Sequence, residues 1–311
     1  MRVLVTGASG HIADAVIPEL LGAGHQVLGL ARSDASAEVV AGRGAEVRRG
    51  DLDDVDGLRA AAASADGVIH LASKEVSSGD LAEVVAAHLR AAGAIGDALA
   101  GSDKPFAAVS GTLMLAFAGL TGRAGRVGTE RDVLESGPGG EVEKAMIALA
   151  GRGVRVSIVR LPPLVHSSLD HHGFGPGLIA IARAKGVSGY VGDGGNLWPA
   201  VHTLDAARLL RLALEQAPAG SRLHAVADEG VPFREIAETI GKHLNVPAES
   251  VPAEDAAEHF GYLGAFVGLD NPASSAYTRE LLGWAPTHPD LIDDLDQGHY
   301  FAASAASPAQ P

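Results

Sequence analysis

The stretch VTGASGHIAD, from Val5 to Asp14, spaces small residues three apart at Gly7, Gly10 and Ala13, between an apolar run and an amphipathic one. That pattern suits a phosphate cradle. Glycine at 7 permits a tight turn, glycine at 10 lets backbone N–H groups approach a pyrophosphate, and a small residue at 13 lets the helix close on the strand. Alanine in the third place adds one methyl, which the dinucleotide fingerprint tolerates. Backbone at Ser9, His11 and Ile12 completes the expected cradle.

The next apolar run ends in GLARSDAS, which puts Arg32 and Ser33 where a dinucleotide site discriminates its ribose. A carboxylate there bonds a free 2′-hydroxyl, whereas a cation grips a 2′-phosphate. Arg32 offers a bidentate fork and Ser33 one further hydrogen bond. Asp34 argues the other way. The position of Arg32 predicts NADP(H).

These residues need a scaffold, and the chain supplies a regular one. Strands are expected at Arg2–Thr6, Gln26–Ala31, Glu46–Arg48, Gly67–Leu71, Phe106–Val109 and Val154–Arg160. Between them the periodicity predicts helices at Ala13–Ala23, Val39–Gly42, Asp54–Ala63, Leu81–Leu99 and Glu141–Gly151. Strict alternation of this kind gives an α/β fold, a Rossmann-type doubly wound parallel sheet. After Pro163 the rhythm loosens. His166–Gly177 reads as a loop, followed by helices at Leu178–Lys185, Ala206–Gln216, Phe233–Leu244, Pro252–Phe260 and Ser274–Leu282. The expected division is a dinucleotide-binding region over 1–165 and a smaller mixed C-terminal substrate lobe over 166–301. One strand near 221–227 returns to the sheet, and 302–311 forms a flexible tail.

Composition narrows the function classes. The 311 residues contain no cysteine, which rules out disulfides, thiolate metal sites and cysteine nucleophiles. A net charge of −14 disfavours nucleic acid and anionic membranes. No apolar run approaches the roughly 20 residues of a membrane span. The chain enters its first strand without a charged leader and cleavage site, so a soluble cytoplasmic protein with a small-molecule substrate is expected.

Further motifs follow in order: GDLDD (Gly50–Asp54), VIHLAS (Val68–Ser73), VSGT (Val109–Thr112), VRLPPLVH (Val159–His166) and PAVHTLDAARL (Pro199–Leu209). With TGASGHIA they resemble the short-chain dehydrogenase/reductase superfamily, in its extended or atypical branch, that of the NAD-dependent epimerases and dehydratases. The resemblance runs nearly to Trp284. It implies that Asp51 and Leu52 flank the adenine, and that Leu71, Ala72 and Ser73 line the ribose and pyrophosphate. It also implies that Ser110 sits by the cofactor and that the Leu161–Pro163 turn, with Pro162, borders the nicotinamide. Thr112 matches the hydroxyl that contacts the reacting oxygen. The helices Leu81–Leu99 and Glu141–Gly151 would pair across a homodimer as in family members, or equally pack on the sheet.

One family feature is missing. The superfamily's Tyr-x-x-x-Lys belongs on the helix before VRLPP, yet Tyr190, Tyr262, Tyr277 and Tyr300 all lie beyond it. Gly140 stands four residues before Lys144, and only nine residues separate Lys144 from Val154. Lys144 is then either the family lysine in a shortened helix or a surface residue. Alternatively, Glu143 matches the acidic residue four beyond the family lysine, which sets both catalytic positions in the Gly-rich stretch before it.

The proton must then come from elsewhere. The loops expected over the nicotinamide carry Lys74, Asp170, His171, His172 and Tyr190. Histidine titrates near neutrality and suits general acid work. The His171–His172 pair lacks helix spacing and a third ligand, so no metal is expected. Trp198 and Phe174 are expected to form an apolar wall, and His202 to pack. The leading expectation is an NADPH-dependent reductase acting on a C=O or C=N bond of a small, fairly apolar substrate. The alternatives are a non-catalytic dinucleotide sensor similar to NmrA-like regulators and, more weakly, a sugar-nucleotide epimerase or dehydratase.

Overall fold

The computed structural model describes residues 1–73, 81–122, 125–135 and 137–302. Its strands are β1 (Arg2–Thr6), β2 (Gln26–Ala31), β3 (Glu46–Arg49), β4 (Gly67–His70), β5 (Pro105–Gly111) and β6 (Arg155–Leu161), then β7 (Leu164–His166), β8 (Ser188–Val191), β9 (Leu197–His202), β10 (Ser221–His224), β11 (Asp228–Pro232) and β12 (Ala248–Val251). The helices of the first half are α1 (His11–Gly22), α2 (Asp34–Gly42), α3 (Val55–Ala63), α4 (Leu81–Leu99), α5 (Leu113–Phe117) and α6 (Gly137–Ala148). The second half adds α7 (Phe174–Lys185), α8 (Thr203–Gln216), α9 (Phe233–Leu244), α10 (Ala256–Phe260), α11 (Ala276–Leu282) and α12 (Leu291–Asp296).

Seven parallel strands form the central sheet in the order β10-β6-β5-β4-β1-β2-β3. The order reverses between β1 and β4, and open sheets of this type bind ligands in the crevice at that point. Both faces are covered. In β1, Val3 and Val5 face one core with α1 and α8, while Leu4 faces the other with α3, α4 and α6. That alternation is the two-residue period of a strand. The apolar faces of α4 and α6 pack on the sheet through Ala91, Ile95, Leu99 and Met146. No helix among the described residues is long and apolar enough to cross a membrane.

The second half builds a lobe with its own core around Trp198, Phe233, Leu263 and Val267. Its sheets are small, β11-β9-β7 and β12-β8. Sequence reading misses β7, β8, β9, β11 and β12, because strands of three to six residues embedded in Gly-, Asp- and Pro-rich sequence show too little alternation. The helix expected over Pro252–Phe260 is instead a 3₁₀ turn at Ala253–Asp255 followed by α10. The region read as a loop over His166–Gly177 contains the end of β7 and the first turn of α7.

One buried ionic cluster ties this frame together. Arg160, fully buried in β6, donates from Nε and Nη2 to the two carboxylate oxygens of Glu143 at 2.9 and 2.7 Å. Nη2 also bonds the Asp132 carbonyl at 2.9 Å, and Nη1 lies 3.3 Å from His224 Nε2. Thus α6, β6, β10 and the segment before α6 meet on one guanidinium. Lys144, next to Glu143, points outward to Glu135 at 3.3 Å, an exposed pair that contributes little.

Removing Glu143 strands a buried cation, so Glu143→Ala should lower unfolding free energy by about 3–5 kcal/mol in guanidinium titrations. Lys144→Ala should stay within about 0.5 kcal/mol of the parent. Acid sensitivity follows from other buried rings. Burial holds His70 down to about 3 and His202 and His224 down to about 4. In the unfolded chain such rings take protons from about pH 6.5 downwards. Between pH 6.5 and 4 the unfolded state therefore binds more protons, and stability drops as pH falls, by about 1.4 kcal/mol per unit for each ring. Unfolding free energies measured from pH 7.5 to 5 should show this decline beginning near 6.5; a flat profile would contradict it.

Candidate functional site

The crevice at the strand-order reversal is floored by the loop between β1 and α1. Gly7 has φ +67°, and a Cβ there would sit 2.7 Å from the Ala72 backbone nitrogen and 2.9 Å from the Leu71 carbonyl carbon. Both the positive φ and the close approach of the strand after β4 require glycine. Gly10 precedes α1 in an extended conformation and its N–H bonds the Gly7 carbonyl at 2.9 Å. Its lack of a side chain leaves the first-turn N–H groups of α1 without a side-chain cap. Those are the donors a phosphate takes up. Ala13 is buried against the sheet, as its role in helix packing requires. Arg43, from the end of α2, braces the loop by bonding the Ala8 carbonyl and pairing with Asp14. Sequence reading missed Arg43, whose partners lie some thirty residues away.

At the ribose end Arg32 is exposed just beyond β2. Asp34, its competitor, is paired with Arg49 at 3.0 Å. The Ser33 hydroxyl caps α2, accepting from the Ser36 N–H at 3.1 Å. Asp51 accepts from the Asp53 N–H at 3.0 Å beside buried Leu52. Leu71 and Ala72 are half-buried after β4, and the Ser73 hydroxyl lies 3.2 Å from His88 Nε2. Ser110 is half-buried at the end of β5, and Pro162 is buried after β6.

The chemical end differs more from expectation. Thr112 is fully buried, and its hydroxyl accepts from Asn271 Nδ2 at 3.0 Å. It faces a packed side chain contributed from 159 residues away, which no local pattern reveals. Tyr190 is 9% exposed within the lobe core, beneath the Arg234 guanidinium. Asp170 is 4% exposed and holds the turn before α7, accepting from the Gly173 N–H at 2.8 Å and the Tyr300 hydroxyl at 3.4 Å. Trp198 is fully buried with its indole N–H on the Leu269 carbonyl, so it forms no wall. Lys74 lies outside the described residues. His202 caps α8 through Nδ1 and packs on His166 and His288. His171 and His172 remain exposed, on the loop whose Asp170 touches α1.

An apolar wall does exist, built from the expected Phe174 together with two residues not foreseen. Phe174 stacks edge-on to Phe266 with centroids 5.5 Å apart, and Phe266 to Phe117 at 5.7 Å. Phe117 is 52% exposed at the end of α5, directly after the strand that carries Ser110. Where a Tyr and Lys would stand if Glu143 marks the acidic position, the chain has Glu135 and Gly139. A Cβ at Gly139 would meet Met114 Cγ at 2.9 Å, and one at Gly140 the Leu134 carbonyl oxygen at 2.9 Å. A side chain at Gly139 would have to displace Met114, while Glu135 is exposed ahead of α6. The buried pairing of Glu143 with Arg160 supports that alignment and gives Lys144 to the surface.

The NmrA-like family profile matches residues 1–99. The chain is 45% identical over 305 residues to the uncharacterized protein C2A9.02 of Schizosaccharomyces pombe, covering 97% of this chain and 100% of that one. It is 42% identical over 300 residues to the uncharacterized protein YLL056C of Saccharomyces cerevisiae, covering 95% and 98%. Among solved structures, UDP-glucose 4-epimerase of Thermotoga maritima superposes with a TM-score of 0.75 at 17% identity, covering 97% of this chain and 98% of that one. DesIV, a dTDP-glucose 4,6-dehydratase of Streptomyces venezuelae solved with NAD, gives 0.74 at 20%, covering 96% of both. The chain therefore belongs to one family with the two yeast proteins, and it shares its fold with the epimerase and the dehydratase.

Proposed function

We propose that the protein binds NADP(H) and reduces a C=O or C=N bond of a small, largely apolar molecule. The observation that carries the cofactor reading is the cradle: a glycine pinned at positive φ against Ala72, and an α1 N-terminus without a side-chain cap. Arg32 directly follows β2, and Arg49, in register with Ala31 on the neighbouring strand, draws Asp34 off at 3.0 Å. A bound reduced nicotinamide supplies hydride; the chain's own residues must orient the acceptor and deliver a proton. Phe117, Phe266 and Phe174 offer an apolar surface at the sheet's ligand edge, and positioning alone is worth up to about 7–11 kcal/mol. With Tyr190 buried and Asp170 and Thr112 hydrogen-bonded, His171 and His172 are exposed histidines near enough to act on His11 in the cradle loop.

A second reading is favoured by one specific absence. A chain with Glu135 and Gly139 where Tyr and Lys would stand, and an NmrA-like segment over residues 1–99, also fits a sensor that binds the dinucleotide without turnover. A spectrophotometric screen of NADPH consumption against aldehydes, ketones, quinones and cyclic imines separates the two. Turnover supports the reductase; tight binding with no turnover on any class supports the sensor.

For the cofactor, wild-type protein should prefer NADPH over NADH by about ten- to hundredfold, and Arg32→Asp should erase that preference. Equal affinities in the wild type would defeat the assignment of Arg32. For the proton, His171→Ala or His172→Ala should slow single-turnover NADPH oxidation by about 10²–10⁴ without weakening cofactor binding. Tyr190→Phe should leave the rate unchanged. Full rates in both histidine variants would mean that water or an already protonated iminium provides the proton.

A further inference from the structure

The first residue of α1 is His11, and its imidazole lies between two acceptors. Nδ1 is 3.5 Å from an Asp170 carboxylate oxygen, and Nε2 is 3.5 Å from the Thr203 hydroxyl oxygen. Neither acceptor is free to turn away. Asp170 is fixed by the Gly173 N–H and the Tyr300 hydroxyl. The Thr203 hydroxyl donates to the His166 carbonyl at 3.1 Å and accepts from Ser167 at 2.9 Å, so toward His11 it presents a lone pair. A neutral imidazole has one N–H and satisfies one of these acceptors; only the imidazolium satisfies both.

We infer that His11 takes up a proton when the pyrophosphate of a dinucleotide settles on the α1 N-terminus, so that cofactor affinity is coupled to pH. This rests on the dinucleotide-binding reading above. The groups facing the ring are Asp170, His171 and His172 from the loop before α7, Thr203 from α8, and Asp14 on its own helix, itself paired with Arg43. Burial holds the free ring below its ordinary value of 6.5, with Asp170 and Asp14 pulling the other way. The positive end of α1 also disfavours a cation there. A bound pyrophosphate reverses that balance, because it cancels the helix-end field and adds negative charge beside the ring. The bound-state pKa then exceeds the free one. Affinity is therefore full at low pH and weakens as pH rises between the two values.

The test is isothermal titration calorimetry of NADPH and NADH in buffers of different ionisation enthalpy, from pH 6 to 8. NADH lacks the titrating 2′-phosphate, so its proton count reports the protein alone. Wild-type protein should take up a substantial fraction of one proton per NADH bound near neutral pH, with affinity falling about tenfold across the range. His11→Gln and His11→Phe should bind with no uptake and a flat pH profile, while His171→Gln and His172→Gln should keep the uptake. Binding of NADH to the wild type without proton uptake, or uptake that survives in both His11 variants, overturns the inference. Absence of binding by either dinucleotide overturns it together with the cofactor reading.

Discussion

The buried guanidinium of Arg160 is the constraint on which the ligand edge depends. A cation with no access to water is tolerable only when every donor is matched, and here Glu143, His224 and the Asp132 carbonyl share that task. The same contacts decide where α6 lies against β6 and how the final strand β10 joins the sheet. They also leave Glu143 no part in chemistry. With α6 pinned by that pairing, a Cβ at Gly139 or Gly140 would run into Met114 or Leu134. Through Glu143, α6 serves as a structural clamp on the sheet.

The opposite side of the crevice is governed by close backbone approach. Gly7 lets the β1–α1 loop come against the chain leaving β4, and Arg43 holds the Ala8 carbonyl from the far side. The loop is thus gripped from two directions while its N–H groups remain available. Above it, the turn before α7 contributes Asp170 to His11. Three chain segments far apart in sequence meet within one hydrogen-bond layer around the expected pyrophosphate position. Rigid placement of that kind is what a hydride-transfer site needs, since small misplacements are costly in rate.

Much of this was legible in the chain. The β1–β6 strands and the tight glycine turn between β1 and α1 follow from apolar periodicity and glycine spacing, which act locally. The side-chain roles at the chemical end were not. The Thr112 hydroxyl accepts from Asn271, and Trp198 is buried in the lobe core. Both outcomes depend on residues brought from another element by tertiary packing, and no window of neighbouring residues encodes them. The short lobe strands failed for a related reason: β7 and β8 derive their stability from partners in sequence-distant strands rather than from their own pattern.

The contact between Tyr300 and Asp170 carries an implication for the order in which the molecule is assembled. A chain grows from its N-terminus, and domains generally fold as their residues emerge. The cradle, β1 through α1, is made first, whereas the tyrosine that steadies the turn above it belongs to the last described segment. His166 is likewise tethered by Asp294, from α12. During synthesis the turn over the N-terminus of α1 therefore stays untethered until the chain has been made through Tyr300.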